Sequence, residues 1–440
     1  MRLGGFLALE AAALWAASFF GDFTRPGASL RFVLLMFVAG GLFLLAVRRF
    51  KNTAASAAGV GSPIGPSPII FWSGALLLRL AMLGCEPGDD FWRYLWEGRI
   101  QLHGFNPYTL APTAPELAAL RDVTWTKINH PDAAAIYPPL AQLAFHGITR
   151  VTHSVLGFKL VFVAADLLTC ALLIRLCAGG LRDAAWYAWN PAVVYAFAGG
   201  AHYDSLMLLP MTASLAILHI SLKERAPLRW SAALGSCALL GAAIAIKFVP
   251  ALLIPAWTRA LRGKSAALAL CAVIPALCSL TFGGIATVLS PLGNFANTAR
   301  FNDTLWWAIE AFTGPNPYQR NWPFILALGG AILWSFYRFK NDWHRCAFWS
   351  MGSALVLSPV LHPWYVTWIL PLACWRRSAP WSVFSLSVLG ALLLWESTPL
   401  WNAWEPNLIT RAIVLIPALA AWHWTNPLRQ LSKTTNPFIP

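Results

Sequence analysis

The chain has 440 residues, of which 58% are hydrophobic and only 11% charged, with a mean hydropathy of +0.58. Soluble globular domains carry about 25% charged residues, so this composition excludes an ordinary soluble protein and points to an integral membrane protein. The formal charge of +14 does not imply nucleic acid, because the basic residues form short clusters between apolar runs and build no contiguous basic face.

The apolar runs are close to the ~20 residues needed to cross a hydrocarbon core as a helix. The period-2 alternation of a membrane β-barrel is absent. The expected fold is therefore an all-α polytopic integral membrane protein with about 13–14 transmembrane helices, forming one domain over residues 1–440. The 8 cysteines lie mostly in apolar runs without CxxC spacing, so neither a disulfide framework nor a thiolate metal site is indicated.

Residues 3–20 form the first expected span, an uncleaved signal anchor with a long apolar core. The second, 30–47, is stopped by Arg48, Arg49 and Lys51, which places its end in the cytoplasm. Residues 52–68, rich in Ala, Gly, Ser and Pro, read as a flexible cytoplasmic linker. The third span, 69–84, then emerges on the outer face.

Residues 85–153 are too polar and too broken by proline to cross in lipid, and form a large first outer loop. Over 91–102, Trp92, Leu95, Trp96 and Arg99 share one side of a helix. Trp and Tyr favour the headgroup layer, so this is expected to be an interfacial helix. Residues 139–150 form a second such helix or a short span; the sequence leaves both open. Regular crossings resume with 156–176, 184–200 (interrupted by Asn190-Pro191), 206–222, 230–246, 248–261 and 266–289. A second outer loop, 290–321, follows, and the remaining crossings are 322–339, 346–361, 364–375, 381–395 and 408–424. With this threading every basic cluster falls on the cytoplasmic side.

Charged residues inside a membrane are expensive and mark function. Here they collect at one level. Asp89 and Asp90 follow the third span, and His202 and Asp204 end another helix. Lys247 begins an inward one, Arg300 and Arg320 stand in the second outer loop, and His362 and Tyr365 sit in an outer turn. Each has a bland alternative: a histidine satisfied by a carbonyl, a lysine snorkelling to the headgroups, an aspartate capping the next helix. Glu10 and Asp166, within spans, are expected to be structural partners. A carboxylate beside several cations at the outer boundary suits sugar transfer from a lipid phosphate. The carboxylate deprotonates an acceptor hydroxyl, and cations stabilise the departing phosphate.

The run Asp90-Phe91-Trp92-Arg93-Tyr94-Leu95-Trp96-Glu97-Gly98-Arg99, with Gly104-Phe105-Asn106-Pro107-Tyr108, resembles the first outer loop of GT-C glycosyltransferases, closest to the bacterial polyprenyl-phosphate-mannose-dependent mannosyltransferases. Ile128-Asn129-His130-Pro131 and Tyr137-Pro138-Pro139-Leu140-Ala141-Gln142 extend the likeness, as do Gly200-Ala201-His202-Tyr203-Asp204, Lys247-Phe248-Val249-Pro250 and Leu361-His362-Pro363-Trp364-Tyr365. The resemblance implies a polyprenyl-phosphate-linked sugar donor, most simply mannose, and transfer with inversion on the periplasmic or outer face of the cell membrane. It also implies an aspartate base, matched by Asp90, with Asp89 orienting it or binding substrate. Substrate contacts are expected from Arg93, Glu97, Arg99, Asn106, Tyr108, Tyr137, Gln142, His202, Asp204, Lys247, Arg300, Arg320, His362 and Tyr365. Glu97 stands where relatives often carry Asp, and Tyr203 where Asn is common. The acceptor is a glycolipid, lipid-linked glycan or protein. No cofactor is required; a divalent metal at Asp89 or Asp90 stays open. The competing readings are a lipid or polysaccharide transporter and a surface-polysaccharide ligase or polymerase.

Overall fold

A computed structural model describes residues 2–56, 67–223, 227–314, 321–396 and 407–425. The described residues are helical throughout apart from loops and one isolated bridge pairing Phe301 with Val360. The protein is thus an all-α polytopic membrane protein.

The chain opens with α1 (Leu3–Ser18), α2 (Ala28–Ser56) and α3 (Pro68–Met82), with α1 packed against each of the other two. The outer-loop helices α4 (Asp90–Leu102) and α5 (Pro139–Thr149) come next. Then follow α6 (Val155–Leu176), α7 (Leu181–Ala188), α8 (Pro191–Val194), α9 (Asp204–Lys223) and α10 (Trp230–Ile246), with α9 seated between α6 and α10. The second half comprises α11 (Ile254–Ala260), α12 (Leu270–Leu280), α13 (Ile285–Thr298), α14 (Thr304–Thr313), α15 (Trp322–Arg338), α16 (Trp343–Leu357), α17 (Leu370–Arg376), α18 (Ala379–Ser387) and α19 (Leu408–Thr425).

Among the described residues, four helices have the length and composition to cross a membrane: Ala28–Phe50, Val155–Leu176, Asp204–Lys223 and Leu408–Thr425. Their outward faces expose Leu34, Val38, Leu160 and Leu168, as lipid contact requires. A fifth would be the pair Ser265–Leu280 and Ile285–Asn297, bent by 94°. Shorter apolar helices are Leu3–Ser18, Pro68–Met82, Trp230–Ile246 and Ala379–Trp395. Of the other expected crossings, 322–339 and 346–361 fall on the single helices α15 and α16, whereas 184–200, 248–261 and 364–375 fall on broken helices, and the sequence explains the breaks. At 184–200 the Asn190 side chain accepts the N–H of Ala192 and Pro191 starts a new helix, so α7 stops and α8 begins. Over 248–261 Pro250 and Pro255 leave a 3-10 turn and the short α11.

Contacts between distant segments join parts expected at the same face. Glu396 accepts hydrogen bonds from Gly27 N at 2.8 Å, Ser29 Oγ at 2.7 Å and Leu30 N at 3.1 Å, and so caps α2 from the far end of the chain. Both segments are expected outside. Arg377 pairs with Asp183 at 2.9 Å, and His219 meets His344 at 3.2 Å, both between segments expected inside.

The expected structural role of Asp166 is met by a partner on α3. Arg79 Nε donates to Asp166 Oδ2 at 2.6 Å, and Arg79 Nη1 also donates to the carbonyls of Ala75 and Ala188 at 2.9 and 2.6 Å. Lys159 on α6 donates to the carbonyls of Leu83 and Cys85 at 3.0 and 2.6 Å, closing the end of α3.

Candidate active site

The loop of residues 85–153 folds into a seam of α4 against α5. At Gly98 a Cβ would lie 2.2 Å from Thr149 Oγ1 and 2.6 Å from the carbonyl of Phe145, so only glycine permits the two helices to approach this closely. One turn earlier Tyr94 stacks on Phe145 at 4.8 Å, and Tyr137 and Tyr203 meet it edge-on, each at 5.2 Å. This aromatic wedge fixes the start of α4 beside the turn that precedes α9.

The two adjacent aspartates are engaged differently. Asp89 is the N-cap of α4, accepting the N–H of Asp90 at 3.0 Å. Asp90 Oδ1 accepts from the Asn129 amide at 2.9 Å, and the same amide reaches Asp89 Oδ2 at 3.2 Å. Asp90 Oδ2 faces His202 Nδ1 at 3.9 Å, and its side chain stays 23% exposed. Burial, then the Asp89 carboxylate, push the Asp90 carboxyl up to about 7, against the lowering effect of Asn129 and Lys247. A carboxyl there is close to half ionised at neutral pH, which suits proton abstraction.

Lys247 faces this carboxylate from the end of α10. Its Nζ donates to Asp204 Oδ1 at 2.7 Å and lies over the rings of Tyr203, Tyr365 and Trp368 at 4.9, 4.8 and 4.9 Å. Trp368 Nε1 donates to the same Asp204 oxygen at 2.5 Å. The ammonium is thus held by an ion pair and an aromatic box with 15% of the side chain exposed. The snorkelling alternative is thereby replaced: the lysine points into the protein.

The histidines differ from expectation in charge. His202 is fully buried and stacks on Trp364 at 3.6 Å, and among the described residues neither ring nitrogen has a hydrogen-bond partner. No carbonyl satisfies it. Burial, then Lys247, hold its imidazolium well below the usual range. His362 lies between Phe301 at 4.3 Å and Trp364 at 4.4 Å, and burial and Lys247 push it down to about 3. Both are neutral at physiological pH, because burial disfavours the charged form and a nearby cation repels it. The rings of Phe301, His362, Trp364 and His202 form a continuous stack from the second outer loop to Asp90.

Most other expected site residues build the wall behind these groups. Arg93 donates to Glu97 at 3.0 and 2.9 Å and to the carbonyls of His130 and Ala133 at 2.9 and 3.0 Å. Glu97 also accepts from Gln142 at 2.6 Å. Asn106 donates to the carbonyl of Phe282 at 2.9 Å, and the Tyr108 hydroxyl donates to that of Tyr137 at 2.5 Å. Arg99 pairs with Asp122 at the loop surface, and Arg300 with Asp303 and Glu310 at 2.8 and 3.0 Å. Arg320 lies outside the described residues. Asn129, Trp364 and Trp368 were not expected in the site. All three are uncharged, and only the polar run 128–131 and the turn at 362–365 hinted at the first two.

A half-buried carboxylate, a boxed ammonium and a polar loop on an apolar helical frame suit a membrane glycosyltransferase. A family model described as "Alpha-(1->6)-mannopyranosyltransferase, N-terminal domain" matches residues 4–262, which include Asp90, His202 and Lys247. Alpha-(1->6)-mannopyranosyltransferase A of Mycobacterium tuberculosis is 24% identical over 438 residues, covering 84% of this chain and 77% of that protein. No solved structure matches the chain. The chain belongs to the alpha-(1->6)-mannopyranosyltransferase family, and the activity that goes with the family is mannosyl transfer.

Proposed function

We propose that the chain moves mannose from a polyprenyl-phosphate donor to a lipid-linked or glycan acceptor at the outer face of the cell membrane, with inversion and with Asp90 as general base. Asp90 takes the proton of the acceptor hydroxyl as that oxygen attacks the anomeric carbon. The bond from that carbon to the phosphate oxygen breaks, and polyprenyl phosphate leaves with the electron pair. A phosphate leaves without protonation, so a second carboxylic acid is unnecessary. Lys247 stabilises the charge that builds on the departing phosphate. If the linkage is the α-(1→6) bond in the relative's name, the attacking group is a 6-hydroxyl and inversion requires a β-linked donor.

The observation that carries this reading is the Asp90 carboxylate: partly accessible, pushed up to about 7, and set near the boxed cation Lys247. Support for the outer face comes from the loop order and from the contacts that join segments expected on one side. Membranes containing the protein should transfer label from polyprenyl-phosphate mannose and not directly from a nucleotide mannose. Transfer from the nucleotide sugar alone, with the lipid donor inert, would overturn the donor assignment. Tags after Gly61 and after Pro115 should report opposite sides of the membrane, and finding both in the cytoplasm would break the topology.

A further inference from the structure

We infer that His202 is the positioning residue of the base, holding the Asp90 carboxylate through an Nδ1–H to Oδ2 contact when substrates are bound. The inference rests on Asp90 as base and adds the group that orients it.

The backbone around His202 is built at a cost. A π-turn over Tyr195–Gly199 leads into Ala201, whose φ of 56° lies in the left-handed region that alanine disfavours. The turn is pinned by His202 N donating to the carbonyl of Ala196 at 2.8 Å, and by Gly88 N donating to that of Gly200 at 2.9 Å. Both features, a π-turn and a strained non-glycine residue, recur at functional sites.

The ring then fits a slot with one open polar edge. A Cβ on Gly88 would stand 3.2 Å from its Cε1 and Nε2, and one on Gly200 2.9 Å from its Cδ2 and Nε2. Trp364 covers a face at 3.6 Å. The Nε2 edge therefore meets two glycine backbones, while the Nδ1 edge points at Asp90 Oδ2, 3.9 Å away. A purely structural role would be filled better by phenylalanine, since a buried imidazole without a partner is destabilising. Asp90 is able to close the gap: its Oδ1 is held by Asn129, whereas its Oδ2 makes no hydrogen bond among the described residues and lies 3.9 Å from this ring.

The charges around Asp90 leave this role to a neutral donor. Asp89 precedes it and Arg93 shares its helix, the latter committed to Glu97. Asp204 and Lys247 face it from the ends of α9 and α10. The phenols Tyr94, Tyr137, Tyr203 and Tyr365 surround it, and His362 stands behind Trp364. Of these groups, His202 is the one that stands beside Asp90 Oδ2 with both ring nitrogens lacking a hydrogen-bond partner among the described residues.

A donor to the ionised carboxylate favours ionisation, so its loss raises the pKa of Asp90. The test is the pH profile of kcat, which reports groups in the enzyme–substrate complex, for wild type, His202→Phe, His202→Asn and His202→Gln. Phe keeps the stack on Trp364, Asn keeps an N–H at the Nδ1 position, and Gln moves it to the Nε2 position. The acid limb should shift up by about one pH unit in the Phe and Gln variants, a roughly tenfold loss below the limb, and stay near wild type in Asn. A wild-type limb in the Phe variant, or equal limbs in Asn and Gln, overturns the inference; the latter comparison decides it if the Phe variant does not fold. Full activity of Asp90→Asn would instead remove the base itself.

Discussion

The Asp89 carboxylate accepts the backbone N–H of Asp90 at 3.0 Å, and this contact separates two residues that are neighbours in sequence. Asp89 becomes the cap of α4, and Asp90, one residue on, faces His202 and keeps part of its side chain exposed. A helix cap and the proposed base therefore share one dipeptide, and the cap acts on its neighbour. Asp89 is among the causes that raise the Asp90 carboxyl.

That dependence has a sign. Asp90 must be ionised to act as base, and it is pushed up to about 7. Activity should rise through pH 7 and fall about tenfold per unit well below it. Measuring kcat/KM from pH 5.5 to 8.5 checks this. A flat profile down to pH 5.5 would contradict an aspartate base in this setting.

Replacing Asp89 by Asn removes a like charge while keeping an oxygen that caps α4. The Asp90 carboxyl should fall and the acid limb move to lower pH, with the helix intact. Asp89→Ala also removes the cap, a loss of roughly 0.5–2 kcal/mol, and should lower the thermal midpoint as well. The two variants are compared by pH profile and by unfolding in detergent.

Lys247 is held by Asp204 and three rings. Lys247→Met should lower kcat/KM for the lipid donor about tenfold or more, since it removes the cation proposed to stabilise the departing phosphate. It also leaves Asp204 without its ion-pair partner. Pairing it with Asp204→Asn should recover stability without recovering kcat/KM. If the double variant uses the donor normally, Lys247 is structural only.

The Arg79–Asp166 pair is fully buried between α3 and α6. Asp166→Ala leaves an uncompensated guanidinium and should destabilise by roughly 3–5 kcal/mol, whereas replacing both partners by apolar residues should be milder. Thermal midpoints of the single and double variants in detergent separate the two cases.

Much of this was legible in the sequence. The spacing of Trp92, Leu95, Trp96 and Arg99 anticipated α4, and the basic clusters grouped Asp90, His202, Asp204, Lys247 and His362 at one level, where the fold does bring them together. The inner wiring was not legible. Arg93, Glu97 and Gln142 read as substrate ligands because they are polar in an oily chain, yet they hydrogen-bond to one another. Arg79 passed unnoticed because its partner lies 87 residues away. The neutrality of His202 and His362 depends on burial and on Lys247, neither of which spacing reveals. The breaks at Asn190-Pro191 and Pro250 were visible as prolines, but their effect on helix length depends on packing.

The central claim is that Asp90 removes the acceptor proton. The direct measurement is transfer of labelled mannose from polyprenyl-phosphate mannose in membranes carrying wild type or Asp90→Asn at equal abundance. General-base catalysis contributes about 10²–10⁴-fold, so the variant should lose transfer by at least that order while still binding the lipid donor. Turnover within a few-fold of wild type would contradict the account.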